Sequence, residues 1–320
     1  MKYPLRKAAC ILSRRHKLPG RLGAVAAAGA GFVRVIGSQG AGNGQFDCPY
    51  GGVAFDGEGN LVVCDSDNHR IQVFRYSDGT HLRSIGSEGA GNGEFSYPWS
   101  IAFDGAGHII VSEASGHRVQ VLRYSDGAHV RTIGSEGSGN SANGQFKYPS
   151  GIAVDGEGNV AVFDSYNARV QVHRLSDGAY IRTIGSRGSG NGQFGAGHGG
   201  VAFDSEGNLV VADYGNHRVQ VLRYSDGAHV RTIGNKGAGA GQFLCPTGVA
   251  FDAAGHIVVA EANNHRVQVL RYSDGAHVRT IGSEGSGNGQ FSDPCGGIVI
   301  DSDGRIIVAD TCNHRVQVFE

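Results

Sequence analysis

Histidine is the residue type in this sequence that could most readily do chemistry, because imidazole binds zinc and transfers protons near neutral pH. The 320 residues include 14 histidines, and five of them precede an arginine in the same local sequence: His69, His117, His217, His265 and His314. His198 stands apart, because it lies in a predicted loop that no other histidine occupies. A metal or acid–base site is therefore the first hypothesis to test.

Cysteine, serine and glycine patterns predict no catalytic or cofactor site. The six cysteines form no pair of Cys-x-x-Cys spacings, so neither a RING nor a B-box domain is predicted. Cys295 and Cys312 are expected in neighbouring loops, where a disulfide is geometrically conceivable, but thiols are the expectation. Glycine-rich runs such as GSEGSGNGQF lack the Lys-Ser/Thr of a phosphate-binding loop. We predict no cofactor and no catalytic Ser-His-Asp group.

Most of the chain is an internal repeat. The string RYSDGAHVRTIG occurs at 123–134, 223–234 and 271–282, and close variants occur twice more. Aspartates that follow the string VAF or a variant are 48, 51, 49, 48 and 49 residues apart: Asp56, Asp104, Asp155, Asp204, Asp252 and Asp301. Six copies of one structural unit are therefore predicted.

Each repeat contains four predicted strands, because short runs rich in valine, isoleucine and phenylalanine alternate with Asp-Gly or Gly-Asn turns. Four strands in each of six repeats predict an all-β fold, a six-bladed β-propeller of four-stranded blades. The last repeat stops after its third strand, and residues 32–37, FVRVIG, match the missing fourth strand. We predict that this N-terminal strand joins the C-terminal strands to close the last blade, and that the propeller spans 32–320.

Charge is distributed unevenly along the chain. Residues 1–31 hold seven bases and no acid, which leaves residues 32–320 with 21 bases, 29 acids and a net charge of −8. The basic segment resembles an organelle transit peptide, although a disordered leader on a cytoplasmic protein is favoured. No apolar run reaches about 18 residues, so no membrane-spanning helix is expected. Because residues 32–320 carry a net negative charge, they have no general electrostatic attraction to nucleic acid or to anionic lipid.

Repetition distinguishes structural residues from candidate site residues. A residue found in every blade is expected to have a structural role, whereas a residue found in one blade is a candidate for function. The histidines of the His-Arg positions would lie more than about 10 Å from the propeller axis. Ligand atoms on one zinc ion are at most about 4 Å apart, so these histidines cannot share a metal, and no metal site is predicted. The acids that end each second strand also recur, and we predict that they accept hydrogen bonds from loop N–H groups or pair with the arginine that follows: Asp65, Glu113, Asp164, Asp213, Glu261 and Asp310.

Variable residues are concentrated in the loops of one face. Blades one to four carry aromatic side chains there, which are typical of binding hot spots. The predicted partner-binding residues are Tyr50, Tyr97, Trp99, Tyr148, Tyr166, His198 and Tyr214. The alternative is that several of them plug the channel or pack on a neighbouring blade. The variable bases in the long loops are Lys147, Arg187 and Lys236, against six acids, so a basic RNA footprint is missing.

The motif Pro-x-Gly-Val-Ala-Phe-Asp…Gly-Asn-Leu-Val-Val-Ala-Asp…Asn-His-Arg-Val-Gln-Val resembles the NHL repeat family over residues 32–320. NHL propellers are the substrate-binding ends of tripartite-motif ubiquitin ligases, RNA-binding modules, sensor domains of receptor kinases and the peptidylglycine α-amidating lyase. The lyase needs several histidines at the axis, and this sequence departs from that pattern.

The resemblance and the loop residues together predict a monomeric, non-catalytic interaction module that binds a protein or peptide on one face. Substrate recognition for a ubiquitin ligase is what the resemblance implies. Two alternatives remain open at this point: a propeller that binds single-stranded RNA by aromatic stacking, and a metal-dependent, lyase-like enzyme.

Overall fold

The computed structural model describes residues 31–137 and 142–320, and within these ranges the chain forms six four-stranded antiparallel sheets. We call each sheet a blade and number the blades one to six by their innermost strands. Innermost strands of neighbouring blades are in contact, and that of blade six contacts that of blade one, so the blades form a closed ring. None of the described residues belongs to a helix long and apolar enough to cross a membrane.

The predicted four-stranded blades are confirmed. From the innermost to the outermost strand they comprise Val53–Phe55, Leu61–Asp65, Arg70–Phe74 and His81–Ile85 in blade one; Pro98–Phe103, His108–Glu113, Arg118–Arg123 and His129–Ile133 in blade two; Pro149–Val154, Asn159–Asp164, Arg169–Arg174 and Tyr180–Ile184 in blade three; Val201–Phe203, Leu209–Asp213, Arg218–Leu222 and His229–Ile233 in blade four; Pro246–Phe251, His256–Glu261, Arg266–Arg271 and His277–Ile281 in blade five; and Ile298–Ile300, Ile306–Asp310, Arg315–Phe319 and Phe32–Ile36 in blade six.

Blade six contains both ends of the described chain, as the repeat count predicts. Phe32–Ile36 is antiparallel to Arg315–Phe319, with Phe32 opposite Phe319 and Ile36 opposite Val316. The strand is one residue shorter than the predicted 32–37. The basic segment 1–31 lies outside the described residues except for Gly31.

The apolar core lies between neighbouring blades. Second strands such as Leu61–Asp65 are buried along their whole length. Because side chains alternate along a strand, Leu61 and Val63 pack with blade six, whereas Val62 and Cys64 pack with blade two. Each blade is therefore held by burial on both of its faces, which explains why its second strand is almost continuously apolar.

The acid that ends each second strand organises the loops at one edge of its blade, as predicted. Asp65 is fully buried, accepts hydrogen bonds from the backbone N–H of Asp47 and from Asn68, and lies 2.7 Å from Nε of Arg70. The amide of Gln72 donates to the same carboxylate. Equivalent Arg–acid pairs of 2.5 to 2.9 Å hold the other five blades.

The edge away from these loops carries a second repeated contact. Four arginines of the outer strands lie 4.0 to 4.7 Å above a tyrosine ring of the next blade: Arg34 above Tyr76, Arg83 above Tyr124, Arg182 above Tyr224 and Arg231 above Tyr272. Each of these tyrosines donates its hydroxyl to the hairpin aspartate of the preceding blade, at 2.7 to 2.9 Å. The repeated arginines and tyrosines therefore join blades.

Candidate functional site

We call the side of the ring that holds the second-to-third loops and the long outer-to-innermost loops the loop face. Three of the second-to-third loops contain a single turn of 3-10 helix: Ser66–Asn68, Tyr214–Asn216 and Thr311–Asn313. In blades one, four and six an extra residue precedes the innermost strand, which is three residues long there and six residues long in the other blades. Departures from sixfold symmetry are therefore concentrated on this face.

Three predicted site residues form one aromatic stack over the axis. The ring of Trp99 lies between Tyr50, with centroids 4.8 Å apart, and His198, with centroids 4.2 Å apart. Both pairs are nearly parallel, with interplanar angles of 19° and 23°. We call these three residues the cap. Because both faces of the indole are covered, Trp99 presents an edge to solvent.

The glycine-rich segment before His198 positions the cap. A Cβ on Gly197 would lie 2.3 Å from the ring of Tyr214, so only glycine allows this approach. Nδ1 of His198 is buried without a hydrogen-bond partner, and burial lowers the pKa of this imidazole to about 4. Burial likewise raises the pKa of the Tyr50 and Tyr214 hydroxyls. The cap is therefore uncharged at neutral pH.

The channel beneath the cap is narrow. It holds a cavity of about 90 Å³, lined in part by Gly51, Gly151, Gly199 and Gly296. A Cβ on Gly151 would lie 2.6 Å from the carbonyl oxygen of Gly199, so innermost strands approach each other closely. Sites for drug-sized ligands are about 300–1,000 Å³. A drug-sized ligand would therefore not fit within the channel.

A second aromatic group lies on blade three. Tyr166 is 50% exposed, and its ring lies 6.4 Å from that of Tyr148 in an edge-to-face arrangement. Lys147 is 5.6 Å from the ring of Tyr148, and Arg187 is 5.8 Å from the ring of Tyr166. Lys147 is also paired with Glu136, whereas the exposed guanidinium of Arg187 donates to the carbonyl of Tyr166. We call Lys147, Tyr148, Tyr166 and Arg187 the blade-three patch.

Tyr97, the remaining predicted residue, contacts His69 edge to face at 4.7 Å. The structure therefore brings Tyr50, Trp99 and His198 together, places Tyr214 beside them, and gathers Tyr148 and Tyr166 into a separate patch. The rings of the cap pack on one another, whereas the ring of Tyr166 in the blade-three patch is half-exposed.

The histidines of the His-Arg positions do not converge on one another; each reaches the next blade. In five blades their Nδ1 accepts a backbone N–H from the neighbouring outer-to-innermost loop at 3.0 to 3.2 Å. Blade three has Ala168 at this position. The residues that each histidine faces across the blade junction lie in a different repeat and cannot be identified from the spacing of the histidines alone.

Cys48, Cys64, Cys245, Cys295 and Cys312 form no disulfide in the part of the chain that the structure describes. Cys312 Sγ lies 3.5 Å from a carboxylate oxygen of Asp293.

Fold and repeat together define the class of protein, a six-bladed propeller with one asymmetric loop face. The NHL repeat family matches residues 51–74, 95–122, 146–172, 199–222, 243–270 and 295–319, once in each blade. The chain is an NHL-repeat β-propeller. No curated protein matches the sequence.

Solved structures with the same fold have diverse descriptions. A structural genomics protein of unknown function from Bacteroides thetaiotaomicron has a TM-score of 0.69 and 18% identity, covering 91% of this chain and 76% of its own. A catalytically inactive virginiamycin B lyase from Staphylococcus aureus, solved with quinupristin, has a TM-score of 0.56 and 13% identity, covering 86% and 96%. A chain of a nidogen–laminin complex has a TM-score of 0.57 and 18% identity, covering 77% and 79%. At these identities the likeness shows the fold alone.

Proposed function

We propose that this propeller is a non-catalytic binding module that holds a protein or peptide segment against the loop face at the blade-three patch. The half-exposed ring of Tyr166, beside Tyr148 and two cations, is the observation that carries the proposal. Aromatic side chains of this kind give large contact area at low conformational cost and often anchor interfaces.

The charges of the patch indicate which segment it would take. Arg187 is exposed, and a guanidinium binds a carboxylate with two parallel hydrogen bonds. Lys147 adds a second positive charge, although Glu136 neutralises part of it. A segment with an aromatic or long apolar side chain next to an acidic residue fits this arrangement. Recognition of a ubiquitin-ligase substrate, which the family resemblance implies, would use the same face.

The lyase alternative has less support from the site. The one histidine near the axis, His198, has its ring against Trp99 and its Nδ1 buried. The RNA alternative differs from the peptide proposal in its salt dependence, because contacts to phosphates weaken steeply as salt rises.

The test is a selection of displayed peptides on the full chain, followed by affinity measurement with the selected peptide. Truncating an aromatic anchor commonly costs about 2 kcal/mol or more, which is about 30-fold in Kd. We expect Tyr166→Ala to weaken binding by about this factor. Asn263→Ala is the matched control, because Asn263 is exposed and occupies the equivalent position in blade five.

Circular dichroism and thermal unfolding should first show that each variant folds. Equal enrichment of peptides on the wild type and on a Tyr148→Ala, Tyr166→Ala double variant would contradict the proposal. Preferential binding of single-stranded RNA, lost at moderate salt, would favour the RNA alternative instead.

A further inference from the structure

We propose that Asp47, Cys48 and His314 form a zinc site at the junction between blade six and blade one. None of these three residues belongs to the cap or to the blade-three patch. Its ligands come from two distant parts of the sequence: Asp47 and Cys48 belong to the long loop that enters blade one, and His314 follows the 3-10 turn Thr311–Asn313 of blade six.

The geometry brings three ligand types together. One ligand atom from each of the three residues lies within 4.8 Å of the other two. Oδ1 of Asp47 is 3.2 Å from Nδ1 of His314. Ligand atoms around tetrahedral zinc are separated by about 3.3–3.8 Å, given bonds of about 2.0–2.3 Å. A shift of about 1 Å closes the site, and the Asp47 side chain, which is 45% exposed, has room for that movement.

The arrangement at Nδ1 of His314 suits a cation. The backbone N–H of Cys48 donates to this nitrogen at 3.1 Å, so the neutral imidazole presents a lone pair there. A carboxylate oxygen of Asp47 lies at almost the same distance from the same nitrogen. In the tautomer that accepts this hydrogen bond, a metal ion between Nδ1 and the carboxylate oxygen would exchange one hydrogen bond for two coordinate bonds.

The donor set favours zinc among common divalent ions. Thiolate and imidazole are preferred by zinc over magnesium or calcium, and a carboxylate completes a common ligand combination. With both Asp47 and Cys48 ionised, a divalent ion neutralises the site. Three protein ligands leave a fourth position for water or for a group from a partner.

Among the described residues, only this blade junction places a carboxylate, a thiol and an imidazole all within 4.8 Å of one another. At the junction between blades five and six, Asp293 contacts His265 at 3.8 Å and Cys312 at 3.5 Å, but the three residues do not form such a group. His69 faces Ser96 and Tyr97, and His117 faces Lys147 and Tyr148. The remaining three junctions also lack the consecutive Asp-Cys pair. Ala168 replaces the histidine of blade three. Leu244 and Cys245 face the histidine of blade four, and Ser292 and Asp293 face the histidine of blade five. The repeated scaffold therefore explains the histidine and its backbone contact but not the adjacent acid and thiol.

The junction between blades four and five is a natural control. Sγ of Cys245 lies 3.8 Å from Nδ1 of His217, so thiol and imidazole already meet there at ligand distance. Leu244 occupies the position of Asp47. The carboxylate is the one ligand type that this junction lacks.

Cobalt is the probe for the first experiment, because Co²⁺ substitutes for Zn²⁺ and its bond to a thiolate gives a charge-transfer absorption. The full chain is reduced, stripped of metal with a chelator and titrated with Co²⁺. We expect one ion per chain with thiolate absorption, displaced by Zn²⁺. Cys48→Ser should abolish the absorption, Asp47→Asn should weaken binding at least about tenfold, and Cys245→Ser should change neither.

Leu244→Asp provides the complementary gain of function. It places a carboxylate beside Cys245 and His217, and we expect a second Co²⁺ per chain, with thiolate absorption that Cys245→Ser then removes. Absence of thiolate absorption in the wild type, or absorption that survives Cys48→Ser, would overturn the proposal. The conservative changes at Asp47 and Cys48 leave the backbone contact of His314 intact, so both readouts remain available in folded protein.

Discussion

Acidification should destabilise the propeller through His198, because its imidazole is buried in the cap. The ordinary pKa of histidine is about 6.5, whereas burial lowers that of His198 to about 4. As pH falls through this interval, the unfolded chain binds a proton that the folded chain does not. The free energy of unfolding therefore falls, by about 1.4 kcal/mol for each pH unit at most.

The size of the effect follows from the two pKa values. Between pH 7.5 and pH 4.5 the full difference would remove about 2.5 kcal/mol from the free energy of unfolding. His198 as a whole residue is only partly buried, so solvent screens some of the penalty. We expect a loss of about 1–2.5 kcal/mol attributable to this residue.

The assay is urea unfolding of the wild type and of His198→Phe at both pH values. Phenylalanine keeps an aromatic ring against Trp99 but does not titrate, so the difference between the two proteins isolates His198 from other histidines. The wild type should lose more stability on acidification than the variant. An identical pH dependence of the two proteins would refute the assigned burial of His198, as would an NMR titration midpoint of its ring near 6.5.

Two further predictions concern the closure of the ring and the buried acids. Deleting residues 1–28 should leave the melting temperature nearly unchanged. Deleting residues 1–38 removes the buried Ile36 and the strand that closes blade six, and should cost several kcal/mol of stability or cause aggregation. Equal melting temperatures for the two deletion variants would contradict the closure. Asp310→Ala leaves the largely buried Arg315 without its carboxylate partner, and should lower the free energy of unfolding in urea by about 3–5 kcal/mol. Asp78→Ala, at an exposed turn, should lower it by less than about 1 kcal/mol. Similar losses for the two variants would contradict the importance of the buried pair.

The repeat made the fold readable from sequence. Six copies with constant spacing of Asp56 and its counterparts fix the number of blades, and the match of residues 32–37 to the outer strands fixes the closure. The acids that end the second strands could be assigned to structure because every blade has one. These inferences needed only the comparison of the chain with itself.

The site was less predictable, because it depends on which side chains meet across blade junctions. The sequence picked out Trp99 and His198 as unusual but could not show that their rings stack on each other. It also argued against a metal shared by the repeated histidines, and in the structure each of these histidines instead contacts the neighbouring blade. Asp47 was visible as a variable acid, but its contact with His314, 267 residues later, required the closed ring.

The closure of blade six has a consequence for how the propeller can be attached to other chains. The backbone N–H of Glu320 donates to the carbonyl of Gly31 at 2.6 Å, so the two ends of the ring are adjacent. Both lie on the side opposite the loop face, because third strands end there and outer strands begin there. A segment fused at either end would therefore leave the loop face unobstructed. A circular permutant that joins residue 320 to residue 31 and opens instead at the exposed turn near Gly79 would retain all six blades, with its new ends on that same side.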